Sequence, residues 1–369
     1  VAQSFADFEL LTTLQQTLKE KSLNKPTEIQ LKAIPALMAG RSLIAVAETG
    51  SGKTLAYALP MLHLLKNLEL GGDKVAHDRQ PRAVVIVPTR ELGEQVSRVF
   101  KVFTHTTRLR VRTVLGGTAM QVAKENVAGS FEILVATPGR LLKMINRRQV
   151  DLSAVRFLIF DEVDQMLDAG FVEDSRQIVM MCPAQRQVAL ISATVSPIVQ
   201  DLIQQLFQGL EVIRTAGSDR LVAQLKTENR TVLEGKRLPV LEKLMGEKTE
   251  GGTLIFTNTR EQCDDLAEEL LKKKVSFVIY RGEMDKIERR SNLKAFRDGK
   301  VKYMISTDLA SRGLDVEHVG RVINYNMPKQ MESYLHRVGR TARAGRAGLV
   351  INFITERDLK MVEKIKTLI

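Results

Sequence analysis

Short apolar runs alternate with helical stretches along most of this sequence, and that alternation argues for parallel strands joined by crossover helices. SLIAVA (42–47), AVVIVP (83–88), EILVAT (132–137), RFLIFDE (156–162) and VALISAT (188–194) form a first series. In LAYALPMLHLL after Thr54, the residues Leu55, Ala58, Leu59 and Leu62 share one helical face, as a packed crossover helix requires. GTLIFTN (252–258), VSFVIY (275–280), KYMIST (302–307), RVINYN (321–326) and GLVINFI (348–354) form a second series, again separated by helical segments such as REQCDDLAEELLKKK. Between the series, GLEVIRTAGSDRLVAQLK (209–226) is mixed, polar and without a long apolar run. The expected organisation is therefore two α/β domains, residues 1–212 and 225–369, joined by a linker at 213–224.

The length of 369 residues is more than one ordinary core accommodates, and 44% hydrophobic residues supply ample material for two. A formal charge of +12 points to a polyanionic partner. Nucleic acid stands ahead of a membrane surface, because no basic amphipathic anchor is present and no apolar run approaches the length of a span. Cys182 and Cys263 lie far apart and match no metal-ligand spacing, so neither a disulfide framework nor a zinc site is indicated, and an intracellular setting is expected, the cytoplasm first, with nucleus or organelle open. Residue 1 is Val, so the chain is expected to be a piece of a longer one.

AETGSGKT (47–54) follows one apolar run and precedes a helical stretch, the context a phosphate-binding loop requires. Gly50 and Gly52 allow the backbone N–H groups to turn inward, the helix N-terminus adds positive potential, Lys53 reaches the terminal phosphates and Thr54 ligates Mg²⁺. Ala47 stands where the strict pattern has Gly. FLIFDEVDQ (157–165) sets Asp161, Glu162 and Asp164 against the end of a buried strand. Like charges so close repel unless a cation holds them. Ligands of parallel sheets bind at the carboxyl ends of strands, which assigns Asp161 to Mg²⁺ through water and Glu162 to orienting and deprotonating an attacking water. Asp164 is expected to tie this turn to Ser192 and Thr194. A solvated acidic turn is the bland alternative, and the nearby phosphate loop weighs against it.

With these motifs in place, the chain from about Phe8 onward resembles the DEAD-box family of ATP-dependent RNA helicases in superfamily 2, with DEVD in place of DEAD. The resemblance implies two tandem RecA-like domains, each a mainly parallel sheet flanked by helices, and ATP with Mg²⁺ as cofactors. PTEIQ (26–30) resembles the adenine-recognising motif, with Gln30 on the base edge and Phe8 stacked on the ring, and Ala47, Glu48, Thr49, Gly50, Ser51, Gly52, Lys53 and Thr54 would surround the phosphates. PTREL (88–92), Gly116-Gly117 and TPGR (137–140) resemble RNA-binding motifs of the first domain, IFTN (255–258) and TDLASRGLD (307–315) those of the second. The implied RNA contacts are Arg90, Gly117, Thr137, Arg140, Asn258 and Thr307, all to the backbone of the strand. Asp315 would touch the ribose, His336 would join the interdomain network, and Arg340 and Arg343 of HRVGRTARAGR (336–346) would be arginine fingers. The bland reading of Arg337, Arg340, Arg343 and Arg346 is a solvated basic face.

Four departures from the family pattern stand out. Val163 replaces Ala, Ser22 and Leu23 replace Gly and an aromatic, Arg281 and Lys286 replace His and Gln, and Ala342 replaces Gly. The resemblance implies an RNA-dependent ATPase that separates short duplexes locally, acting as a monomer on RNA of any sequence, with protein regulators possible and no membrane partner. An ATP-gated RNA clamp in ribonucleoprotein assembly is the alternative, and a DNA helicase a weaker third.

Overall fold

The computed structural model describes residues 4–47, 50–73, 77–168, 170–193, 203, 206, 207, 209–215, 225–282, 284–308, 319–341 and 348–366. The chain divides into two compact units, Val1–Ser218 and Asp219–Ile369.

The first unit contains β1 (Leu43–Val46), β2 (His77–Asp78), β3 (Ala83–Ile86), β4 (Val111–Val114), β5 (Ser130–Phe131), β6 (Ile133–Ala136), β7 (Phe157–Asp161), β8 (Gln187–Ser192) and β9 (Glu211–Arg214). Seven of these form one sheet in the order β4-β6-β3-β7-β8-β1-β9, parallel throughout. β2 and β5 form a separate short antiparallel pair. Alternate residues of each strand enter different cores, as the period of a strand dictates: Ala45, Val85, Val135 and Ile159 pack into one cluster, Ile44, Val84, Leu134 and Leu158 into the other. Covering both faces is what makes the central strands continuously apolar.

The second unit contains β10 (Leu225–Thr231), β11 (Gly252–Thr257), β12 (Phe277–Tyr280), β13 (Tyr303–Thr307), β14 (Val319–Asn324) and β15 (Gly348–Ile354). They form one parallel sheet in the order β10-β15-β14-β11-β13-β12, again with a core cluster on each face. Both sheets with their flanking helices have the RecA-like arrangement.

The expected linker at 213–224 overlaps the last strand of the first sheet. Ile213 and Arg214 belong to β9, in register with Ala45 and Val46 of β1, and the division between units falls after Ser218. Residues 216–224 lie outside the described residues.

Candidate functional site

The phosphate loop begins where β1 ends. Ala47 is buried, Gly50 and Gly52 have φ of 83° and 84°, and Gly52 is the N-cap of helix Lys53–Leu70. A side chain at position 52 is doubly excluded, since a Cβ there would lie 2.4 Å from Nε2 of Gln30. Gln30 is a latch: its Oε1 accepts from Thr27 N at 2.9 Å and its Nε2 donates to the Gly52 carbonyl at 2.9 Å. One N–H and one lone pair of the carboxamide remain for a base edge. Lys53 is buried, and its ammonium donates to the Ala47 carbonyl at 2.8 Å. Glu48 and Thr49 lie outside the described residues. Phe8 is buried edge-on against Phe5, with ring centroids 5.9 Å apart, so this structure does not present its ring to a base.

The acidic turn lies two strands away at the same end of the sheet. Asp161 closes β7, buried, with Oδ2 accepting from the hydroxyl of Tyr57 at 2.8 Å. Burial first and the neighbouring Glu162 charge second push its carboxyl up to about 7, against the opposing pull of Lys53 and the Tyr57 hydrogen bond. Desolvation thus outranks the like-charge repulsion emphasised from sequence. Glu162 turns the chain from strand into helix Val163–Asp168 with φ of 57°, a left-handed conformation uncommon outside Gly. Its carbonyl accepts from Gln165 N and Met166 N, and its side chain is 7% exposed with Oε2 lacking a hydrogen-bond partner. Val163 opens that helix and is buried in the apolar core, rather than ending the strand. Asp164 reaches the SAT segment: Oδ2 accepts from Ala193 N at 3.1 Å, while the Ser192 carbonyl accepts from Ala47 N at 3.1 Å. Thr194 lies outside the described residues.

This donor set suits a magnesium ion held with a nucleotide. Among the described residues no cluster of His, Cys, Asp or Glu forms a closed cage. Mg²⁺ keeps waters and takes one or two carboxylates plus substrate phosphates. Buried Asp161 and the hydroxyl of Thr54, in the first turn of helix Lys53–Leu70, are the oxygens that fit that mode.

Farther along the first sheet, the loops after β3, β4 and β6 carry the candidate RNA residues. Arg90 starts helix Arg90–Thr107, capped by Thr89, and pairs with Glu94 at 2.8 Å. Gly117 has φ of 74°, Gly116 N donates to the Thr137 hydroxyl at 2.9 Å, and Arg140 lies on the Met120 sulfur at 3.6 Å. The order β4-β6-β3-β7-β8-β1 therefore separates these residues from the phosphate loop, with the acidic turn after β7 between them.

In the second unit Asn258 follows β11, and Thr307 and Asp308 lie at the carboxyl end of β13; Asn258 and Asp308 meet at one buried guanidinium. Arg337, 0% exposed, is bidentate to Asp308 and donates to Asn258 Oδ1 at 2.7 Å, Asn324 Oδ1 at 3.1 Å and the Asn326 carbonyl at 2.6 Å. It also lies over the Phe256 ring, 5.1 Å from its centroid. His336 and Arg340 are buried too, with Arg340 Nε donating to the His336 carbonyl at 3.1 Å. The solvated-face reading fails for Arg337 and Arg340. Arg343 and Asp315 lie outside the described residues.

The profile described as DEAD/DEAH box helicase matches residues 27–202, and that of the helicase conserved C-terminal domain matches residues 236–345. The DEAD-box ATP-dependent RNA helicase RhpA of Helicobacter pylori is 34% identical over 358 residues, covering 97% of this chain and 70% of that protein. The chain belongs to the DEAD-box helicase family. Among solved structures, S. cerevisiae Dbp5 bound to RNA and ADP BeF3 is 26% identical with a TM-score of 0.86, covering 100% of this chain and 93% of that one. A Dbp5 variant bound to a Gle1 variant and IP6 is 26% identical with a TM-score of 0.76, covering 99% and 92%.

Two departures from the DEAD-box pattern have local accounts. Arg281 pairs with Asp264 of helix Arg260–Lys272, so its charge is engaged within its own unit. Ser22 adopts φ of 57°, the conformation the usual Gly takes without strain. Sequence reasoning missed Tyr57 and the hub role of Arg337. The signal for Tyr57 was a phenol inside an otherwise apolar helix, because a buried hydroxyl requires a partner.

Proposed function

We propose that this chain is an RNA-dependent ATPase that binds single-stranded RNA through its backbone and separates short duplexes locally. The single observation that carries the reading is the continuity of the DEVD turn with the phosphate loop, through Asp164, Ala193, Ser192 and Ala47. Lys53 and the loop amides bind the phosphates of ATP, Gln30 serves the base, and Phe8 is the proposed stacking ring. Thr54 and Asp161 hold Mg²⁺, which supplies charge neutralisation at the β- and γ-phosphates. Glu162 aligns the attacking water and accepts its proton; its unpartnered buried oxygen supports that role.

His336, Arg340 and Arg343 are assigned to the nucleotide-bound state, where the two arginines stabilise charge on the transferring phosphoryl group and Asp315 contacts the ribose. Such arginines contribute about 10³ to 10⁵ in rate, roughly 4–7 kcal/mol, so hydrolysis without them is very slow. RNA on Arg90, Gly117, Thr137, Arg140, Asn258 and Thr307 favours that state, and by linkage ATP favours RNA binding equally. A full shift between two states supplies about 5.5 kcal/mol against roughly 1.4 kcal/mol per stacked step of DNA, so a handful of base pairs separate per cycle. Phosphate contacts on a chain of net charge +12 make the binding salt-sensitive and indifferent to sequence.

The protein is proposed to act as a monomer inside the cell, with protein regulators as Gle1 is found with Dbp5. Free, buried Cys182 and Cys263 agree with that location, and among the described residues no helix is long and apolar enough to cross a membrane. The test is steady-state ATP hydrolysis with and without single-stranded RNA, alongside separation of a short RNA duplex. Absence of stimulation by RNA rejects the ATPase reading; stimulation without strand separation leaves an ATP-gated clamp.

A further inference from the structure

Tyr57 lies one helical turn after Thr54, and its ring is fully enclosed in the first unit's core beside Phe100, with centroids 6.3 Å apart. Its hydroxyl is the polar end of an otherwise apolar contact surface, and it does not reach solvent. The phenol donates to Asp161 Oδ2 at 2.8 Å, and its one proton is spent on that bond.

An Asp161 carboxylate whose Oδ2 is engaged by a buried phenol is held against rotation, and Oδ1 is left as the oxygen it can offer a cation. Groups behind metal ligands commonly fix their orientation in this manner, and losing one costs about 10- to 100-fold in metal affinity.

We infer that Tyr57 is a positioning residue that orients Asp161 for a nucleotide-bound divalent cation, through the hydrogen bond from its phenol to Oδ2. The inference rests on the nucleotide and magnesium assignment proposed above and extends it to a residue that touches neither ligand. The bond links the helix that follows the phosphate loop to the end of β7. A Phe at position 57 would preserve the packing and remove the link.

The experiment compares wild type with Tyr57→Phe for binding of a fluorescent ADP, in EDTA and in excess Mg²⁺, with Mn²⁺ as a second probe followed by electron spin resonance. Folding is verified by circular dichroism and by the melting temperature in EDTA. The expected result is equal ADP affinity in EDTA, with the tightening produced by Mg²⁺ reduced about tenfold in the variant and Mn²⁺ bound correspondingly more weakly. Equal tightening in both proteins overturns the inference while leaving the nucleotide site intact. A loss of ADP binding in EDTA as large as that in Mg²⁺ also overturns it, since it reports a misshapen loop rather than a metal effect. If wild type itself shows no tightening by Mg²⁺, the magnesium assignment falls first, and the role of Tyr57 falls with it.

Discussion

Asp164 accepts a hydrogen bond from the backbone N–H of Ala193 at 3.1 Å, and this bond fastens the DEVD turn to the strand that in turn holds the phosphate loop. Ser192 completes the path by accepting from Ala47 N at 3.1 Å. The acidic turn and the loop that would grip ATP are therefore joined through Asp164, Ala193 and Ser192 on one side and by Tyr57 on the other. Neither can shift far without the other.

Replacing Asp164 with Ala leaves the buried Ala193 N–H without this acceptor. An unsatisfied buried donor costs about 1–3 kcal/mol, and chemical denaturation is expected to show a loss of that size. ATP affinity should change little, because Asp164 touches no part of the phosphate loop directly. RNA-stimulated turnover should fall further than ATP affinity, and equal losses in both would remove the special role of this contact.

Glu162→Gln retains the size of the side chain and removes its basicity. Nucleotide binding measured by fluorescence is expected to remain within a few-fold of wild type, while RNA-stimulated hydrolysis falls by about 10² to 10⁴. Unchanged turnover would exclude Glu162 as the group that accepts the proton of the attacking water.

Which strands could be read from the sequence follows from their position in the sheet. SLIAVA, AVVIVP and RFLIFDE were legible because β1, β3 and β7 are interior strands buried on both faces, and burial of that kind requires an unbroken apolar run. VRTV, EVIR and LKTENRT carry no such run, and they form β4, β9 and β10, each at a sheet edge. An edge strand is bonded along one side alone and tolerates charged residues such as Arg112, Arg214 and Lys226. At the site, Lys53, Asp161 and Glu162 were legible because their chemistry requires fixed spacing next to a strand. Arg337 was not, since a basic residue on a helix carries no local sign of being enclosed; only the fold brings Asp308, Asn258 and Asn324 around it.

Ser22 provides a test of backbone strain. Helix Thr12–Glu20 ends in a paired-bond cap: Ser22 N donates to Lys19 O and Leu23 N to Leu18 O, both at 2.9 Å, with Ser22 left-handed at φ 57°. Gly occupies that conformation without the Cβ clash that costs other residues about 1–2 kcal/mol. Ser22→Gly is expected to raise unfolding free energy by about 0.5–1 kcal/mol, after the greater chain entropy of Gly is subtracted. A destabilisation in urea titration would contradict this account.

The two cysteines should be silent in the native protein. Burial pushes the Cys182 thiol up to about 12 and the Cys263 thiol up to about 11. Both folded values exceed the ordinary one, so the folded state holds its thiol protons longer than the unfolded chain does. Their contribution to stability is complete below about pH 8.5 and is lost as pH rises through the folded values. At pH 8, alkylation is expected to be slow in buffer and rapid in denaturant, because the thiolate is the reactive species. Rapid modification of the native chain would show that one of these sites opens.

Arg337 predicts the largest loss from a single substitution in the second unit. Its side chain is 0% exposed, while its partner Asp308 is 24% exposed. Removing one member of a buried pair costs about 3–5 kcal/mol because the other charge is left uncompensated. Water already reaches Asp308, which places Arg337→Ala toward the lower end of that range, with the acceptors on Asn258 and Asn324 adding to the loss. Arg337→Lys should fall between Ala and wild type: it retains the charge but replaces a planar fork of five donors by a point charge with three. Denaturant unfolding of the full chain orders the three proteins. RNA affinity should decline in the same order, because Asn258, itself a proposed RNA contact, loses the hydrogen bond to its Oδ1. If Arg337→Lys matched wild type in both measurements, charge alone would suffice and the fork geometry would have no role.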